Sequence, residues 1–210
     1  MPIAREGWPL ILVLLGLALV LFLLRWPWTG GVFLVLGLFT AYFFRDPDRV
    51  VPADPRLVLS PADGKVIVAG PAPAGNPLGE GATQVSVFLS VFDVHVNRSP
   101  VGGRISRVDY HEGEFRPAFQ DKASLANEQN SVTIDGADGA GRVTFKQIAG
   151  LIARRIVFKK KVGDTVAAGE RVGMIKFGSR VDVFLPRGAA LRVKAGDRVV
   201  AGVSALGERR

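Results

Sequence analysis

Apolar positions crowd the first part of the chain and alternate sparsely through the rest. Between Glu6 and Arg25 lie 18 consecutive uncharged residues, and between Arg25 and Arg45 another 19. The first block, Trp8 to Leu24, is almost pure Leu, Val, Ile and Ala; as a helix it would reach about 26 Å, close to the hydrocarbon thickness of a bilayer. The second, Gly30 to Phe44, would reach roughly 22 Å and needs local thinning or flanking aromatics to span. Between them, Trp26-Pro27-Trp28-Thr29-Gly30-Gly31 predicts an interfacial turn, because Trp favours the headgroup layer and Pro and Gly end helices. Residues 1–45 are therefore expected to form a transmembrane helical hairpin. A cleaved signal peptide is the alternative for the first block, disfavoured by the second apolar block and by the lack of a small-x-small site before Arg25. A hairpin returns both ends to one side, and Arg5, Arg45 and Arg49 against the single Arg25 place residues 46–210 on the cytoplasmic side of a cell membrane.

After residue 45 the apolar runs are short, β-branched and alternating. They fall at Leu57–Ser60, Lys65–Ala69, Gln84–Phe92, Gly103–Tyr110, Ser131–Ile134, Val143–Ile148, Arg155–Phe158, Val181–Leu185 and Leu191–Val193, separated by Gly- and Pro-rich turns. One weak helical pattern covers Gln120–Asn127. Residues 46–210 thus read as a mostly β (α+β) domain, a small barrel or sandwich. Gly163-Asp164-Thr165-Val166-Ala167-Ala168-Gly169 returns 33 residues later as Gly196-Asp197-Arg198-Val199-Val200-Ala201-Gly202. This Gly-Asp-x-Val-x-x-Gly turn resembles the one closing each half of biotinyl/lipoyl-like sandwich domains, with Ser60-Pro61-Ala62-Asp63-Gly64-Lys65-Val66 as the opening strand. No Lys stands in a Met-Lys-Met or Asp-Lys-Ala hairpin, so the repeat speaks for fold and not for a swinging cofactor.

Composition narrows the chemistry. The absence of Cys excludes thiol nucleophiles, disulfides, Cys-ligated zinc and iron–sulfur clusters. Only His95 and His111 remain as imidazoles, too few for a three-His site, so no metal is expected. The net charge of +8 suits attraction to anionic lipid headgroups, and no helix-turn-helix or aromatic RNA platform accompanies it, so no nucleic acid is expected.

Four separate stretches carry the most specific signal: Ser60-Pro61-Ala62-Asp63-Gly64, Phe92-Asp93-Val94-His95-Val96-Asn97-Arg98-Ser99-Pro100, Asn127-Glu128 and Phe177-Gly178-Ser179-Arg180. Together, and in this order, they resemble the phosphatidylserine decarboxylase family in its short bacterial and archaeal form. The resemblance covers nearly all of residues 45–210. It implies a proenzyme that cuts itself between 178 and 179, giving a β chain of residues 1–178 and an α chain of residues 179–210 that stay together as a heterodimer, with a higher oligomer left open. It also implies that Ser179 becomes a pyruvoyl cofactor. Ser179 would attack the carbonyl of Gly178, whose missing side chain permits close approach. Asp63 and His95 would be the carboxylate and imidazole that activate it. The pyruvoyl group would then take phosphatidylserine from the bilayer as a Schiff base and release CO2 and phosphatidylethanolamine, a step of phospholipid biosynthesis.

The resemblance has departures. Long-form members carry a second histidine where this chain has Arg98, so either His95 serves both processing and decarboxylation or Arg98 contacts a carboxylate or phosphate. Phe-Gly-Ser-Arg replaces the long-form Leu-Gly-Ser-Thr. Phe88, Phe92 and Phe177 are candidate walls of an apolar headgroup pocket, with core packing as the alternative. Arg98, Arg104, Arg154 and Arg155 are candidate phosphate contacts, and His111 matches no catalytic position. The rival from another class is a membrane-tethered lipoyl-like binding or scaffold module without catalysis.

Overall fold

A computed structural model describes residues 2–114, 127–137, 141–150, 155–176 and 178–209. Its internal contacts separate two units, Met1–Asp48 and Arg49–Arg210. The expected helix at Gln120–Asn127 lies, but for Asn127, outside the described residues.

In the first unit, helix α1 (Trp8–Leu23) and helix α2 (Pro27–Phe43) pack on one another. With the single 3-10 turn before it, α1 gives a run of 19 residues, Arg5–Leu23, long and apolar enough to cross a membrane; α2 is apolar but shorter. The link is tighter than the sequence predicts. Arg25 takes φ 60°, and the N–H groups of Arg25 and Trp26 donate to the carbonyls of Phe22 and Leu21, which closes α1 in a Schellman turn. Pro27 then starts α2, where its missing N–H costs nothing. Gly30 and Gly31 therefore lie within α2, not in the turn. The reason is packing: a Cβ on Gly30 would stand 3.1 Å from the Phe22 ring, and one on Gly37 2.7 Å from Leu15. At the open end Ile3 bridges Arg45, with N–H bonds from Ala4 to Phe44 and from Asp46 to Pro2.

The second unit is antiparallel β. Its strands are β1 (Leu57–Leu59), β2 (Gly64–Pro71), β3 (Thr83–Leu89), β4 (Val96–Arg98), β5 (Gly103–His111), β6 (Gln129–Gly136), β7 (Arg142–Ile148), β8 (Ile156–Phe158), β9 (Thr165–Val166), β10 (Arg171–Ile175), β11 (Ser179–Leu185), β12 (Ala190–Leu191), β13 (Arg198–Val199) and β14 (Ala205–Glu208). Eight of them form one curled sheet in the order β13-β2-β3-β11-β7-β6-β5-β9, and β1-β14-β12 and β4-β10-β8 form two small sheets. One face of the large sheet carries the core: Val85, Val87 and Leu89 of β3, Val181, Val183 and Leu185 of β11, Val143 and Phe145 of β7, Val132 and Ile134 of β6. The central strand β11 is buried along its whole length.

The Gly-Asp repeat belongs to a larger internal duplication. Gly196 N–H donates to Val66 O and Val66 N–H to Asp197 O, both at 2.8 Å; Gly163 and Asp164 exchange the same pair with Ile105 at 2.8 and 2.9 Å. Gly202 N–H meets Ser60 O as Gly169 N–H meets Ser99 O, each at 2.8 Å. Ser60-Pro61-Ala62-Asp63-Gly64-Lys65-Val66 thus has a counterpart in Ser99-Pro100-Val101-Gly102-Gly103-Arg104-Ile105, and the two copies join through Leu59 N–H to Pro100 O and Arg98 N–H to Pro61 O. The glycine that opens each copy is required by close approach: a Cβ would stand 2.1 Å from Phe88 O at Gly64 and 2.1 Å from Asp135 O at Gly103. Gly103→Ala is expected to cost about 3 kcal/mol or more, since it combines a carbonyl clash with a positive φ of 155°. The denaturant midpoint measures it, and an unchanged midpoint would contradict the packing.

Candidate active site

The strand expected to run to Phe92 stops at Leu89, because Ser90 turns the chain. Its N–H and its hydroxyl both donate to Asp93 Oδ2, at 2.8 and 2.7 Å. The chain leaves the large sheet at this point, and the next residues carry His95 to the head of β11. There the His95 Nε2 accepts the Gly178 N–H at 3.2 Å, and its Nδ1 faces the main-chain carbonyl of Asp93 at 2.9 Å. A carbonyl can only accept, so Nδ1 carries the hydrogen and Nε2 presents its lone pair to Gly178. The imidazole thus meets a backbone carbonyl through Nδ1.

Gly178 takes φ 67°, with nothing within 4 Å of a Cβ built on it. Ser179, the first residue of β11, is fully buried opposite Leu89, and its Oγ is a buried hydroxyl without a hydrogen-bond partner among the described residues. Leaving such a group unpaired costs about 1–3 kcal/mol. Gly178 and Ser179 thus form a joint whose amide touches a basic nitrogen and whose hydroxyl is held in no competing bond among the described residues.

Around this joint the core face turns polar. Strand alternation puts His95, Asn97 and Ser99 on one side, all fully buried. Gln147 pairs with Val181, one step along the same face from Ser179. Asn130 Nδ2 donates to Gln147 Oε1 at 3.0 Å, and Gln147 Nε2 donates to Asn97 Oδ1 at 2.9 Å. This amide chain ties β6 and β7 to β4 beside His95. It was missed in the sequence because its members lie 17 and 50 residues apart; the His95-x-Asn97-x-Ser99 alternation was the one local signal.

Asp63 lies at the head of β2. Its Oδ2 pairs with Arg49 at 2.8 Å and its Oδ1 accepts the Ala201 N–H at 2.8 Å. Arg98 is buried, and its Nη1 donates to Gly169 O at 3.0 Å, bracing the first Gly-Asp turn. Phe88 is half-buried opposite Arg180, so Leu89 and not Phe88 shares a face with the Ser179 hydroxyl. Phe92 is 63% exposed, next to the turn that carries His95. Phe177 and Arg154 lie outside the described residues, and Arg104 and Arg155 are exposed. His111 sits at the end of β5 on the rim of a groove of about 480 Å³ with Arg107, Asp109 and Lys146. Asn127 Nδ2 donates to Ala149 O at 2.7 Å. The neighbouring Glu128 binds the Tyr110 hydroxyl; that bond, then burial and the Glu128 charge, push the phenol up to about 12, so it stays neutral. Among the described residues no group of His, Asp and Glu could hold a metal ion.

The model of the family "Phosphatidylserine decarboxylase" matches residues 36–207. The phosphatidylserine decarboxylase proenzyme of Solidesulfovibrio magneticus (strain ATCC 700980 / DSM 13731 / RS-1) is 50% identical over 208 residues, 99% of this chain and 96% of its own. Those of Geotalea uraniireducens (strain Rf4) and Syntrophotalea carbinolica (strain DSM 2380 / NBRC 103641 / GraBd1) are each 46% identical over 206 residues, 98% of this chain and 96% of theirs.

Proposed function

The chain belongs to the phosphatidylserine decarboxylase family, and from that premise we propose that it converts phosphatidylserine to phosphatidylethanolamine and CO2 after cutting itself between Gly178 and Ser179. The observation that carries the proposal is the joint itself: a glycine at positive φ, its N–H on His95 Nε2, followed by a buried serine hydroxyl with no partner among the described residues.

Ser179 Oγ adds to the Gly178 carbonyl carbon while His95 Nε2 takes the hydroxyl proton. The Gly178–Ser179 C–N bond breaks, His95 passes the proton to the departing nitrogen, and the Gly178 acyl group is left on oxygen as an ester. Removal of the Ser179 α-proton expels Gly178 as a carboxylate through cleavage of the Cβ–O bond. Water then replaces nitrogen at the former α-carbon, ammonia leaves, and residue 179 becomes pyruvoyl. The residues present fit that outcome, since no described residue beyond the chain neighbours stands within 4 Å of a Cβ built on Gly178, which leaves the severed end room to move away. The pyruvoyl carbonyls supply an electron sink for loss of CO2 from an amino-acid headgroup. His95 returns a proton to the carbon that loses CO2. Asp63, held by Arg49 and the Ala201 N–H, acts at one remove by fixing the head of β2. Phe92 and Phe177 are the proposed apolar contacts of the headgroup and Arg98 the proposed phosphate contact, with Phe88 left to packing.

The first unit is proposed to be a membrane hairpin, with the catalytic unit on the cytoplasmic side. Its support is the 19-residue apolar run Arg5–Leu23 and side chains such as Trp28 and Leu23, exposed to 90% and 74%. The repeated Gly-Asp turns support the biotinyl/lipoyl-like likeness of the paired halves. A binding module without catalysis is not favoured, since the relatives that match nearly the whole chain are named decarboxylase proenzymes.

Intact mass tests the reading. Two species are expected, residues 1–178 and a 32-residue fragment 179–210 lighter by one ammonia than plain hydrolysis would leave. Because the fragment supplies β11 between β3 and β7, β13 on β2 and β14 on β1, it should co-elute with residues 1–178 until denaturant is added. One uncut species of 22.5 kDa in folded protein would refute the proposal.

A further inference from the structure

Cutting at 178/179 puts a new chain end at the first residue of the central strand, and chain ends fray unless something ties them down. The end loses more than its covalent tether. Residue 179 gives up its nitrogen as ammonia, so it can no longer donate to the sheet, and its hydroxyl oxygen leaves with Gly178, so that only a methyl group remains of the side chain. On the core face residue 179 then has no side-chain hydrogen-bonding group to hold it. The next residue, Arg180, points to the opposite face and is only 3% exposed. Its Nε donates to Asp182 Oδ1 at 2.6 Å within β11, and its Nη2 donates to Ser86 Oγ at 2.9 Å on β3, which Gln84 Nε2 also reaches at 2.9 Å. Asp182 is 1% exposed and Ser86 is its register partner. Nη1 has no partner among the described residues. A guanidinium and a carboxylate taken out of water, with one donor unpaired, are poor sources of stability compared with apolar packing, so the arrangement calls for a positional reason.

We infer that Arg180 is a positioning residue that pins the newly made end of the α chain to β3 through Ser86 and to its own strand through Asp182, keeping residue 179 seated after the tether is cut. This rests on the reading that the chain cuts itself at Gly178. Before cutting, the covalent bond and the Gly178–His95 contact hold the joint from the other side. The pin is therefore needed only afterwards, which separates it from an ordinary core contact.

The test compares hydrogen exchange at the amides of residues 181–183 in cut protein and in the uncut Ser179→Ala background, with intact mass and steady-state decarboxylation alongside. Arg180→Met with Asp182→Leu removes the pin without leaving a carboxylate unbalanced. This pair is expected to cut to completion and to exchange like the parent when uncut. Once cut, it should exchange about tenfold faster or more, with kcat falling about tenfold and KM changing less. Arg180→Lys, which keeps the charge but not the fork, should fall between; if the double variant does not fold, this single change decides. Exchange rising equally in cut and uncut forms, or in neither, overturns the inference. Wild-type protein that is never cut overturns the underlying reading instead.

Discussion

Replacing Ser179 by alanine is expected to give one uncut chain of 22.5 kDa that folds normally and releases no CO2 from phosphatidylserine. The loss should be at least about 10⁴-fold, because both the nucleophile and the precursor of the cofactor are removed. Among the described residues no neighbouring hydroxyl is placed to substitute. Ser60 and Ser99 spend theirs on the carbonyls of Ala62 and Val101, and Ser86 receives Arg180 and Gln84 on the other face of the sheet. The fold should not suffer, since the Ser179 Oγ makes no hydrogen bond to a described residue and alanine occupies no new space. Removing a buried unpaired hydroxyl is neutral or slightly stabilising. Intact mass, CO2 release and the denaturation midpoint check the three parts separately. A cut product, or CO2 release from uncut protein, would place the nucleophile elsewhere.

That expectation rests on residues legible in the sequence, whereas much of what surrounds them was not. Long or regular patterns could be read. The two apolar blocks became α1 and α2, and runs of alternating β-branched residues became β2, β3, β5, β6, β7 and β11. Failures came where a neighbour and not local preference decides. β10 contains Gly173, a strand-weakening residue, yet a Cβ there would stand 2.1 Å from Val157 O, so β8 demands the glycine. β4, β9 and β13 span two or three residues and have no period to detect. The second copy of the Ser-Pro segment escaped because it recurs after 39 residues while the Gly-Asp turns recur after 33; only the paired hydrogen bonds show that the two offsets describe one duplication. At the site, the motif pointed to Ser179, Gly178 and His95. Packing of one sheet on another joins Asn97 to Gln147, and pairing of β11 with β3 joins Arg180 to Ser86, across 50 and 94 residues.

The imidazole allows proton transfer to be separated from placement. His95→Gln is expected to slow self-cleavage by about 10² to 10⁴, the usual contribution of a general base, while leaving the chain folded. A glutamine oxygen can still accept the Gly178 N–H where Nε2 now does at 3.2 Å, and its amide can still donate toward the Asp93 carbonyl. Hydrogen bonding is largely preserved, but the side chain cannot take a proton from Ser179 or return one to the departing nitrogen. His95→Ala removes both functions and opens a cavity at a fully buried position, so it should lose stability as well as rate. The pair of variants therefore orders two contributions. If glutamine cuts nearly as slowly as alanine, the base is what matters; if glutamine cuts at the wild-type rate, the role of His95 is to hold Gly178 and the base is another group. The same logic applies to Asp93. Its contact with Nδ1 is through the main-chain carbonyl, so Asp93→Asn leaves that bond in place and should slow cleavage far less than His95→Gln does. A time course of intact mass for the three variants distinguishes these outcomes, since β-elimination divides the chain and loss of ammonia lowers the mass of the fragment 179–210.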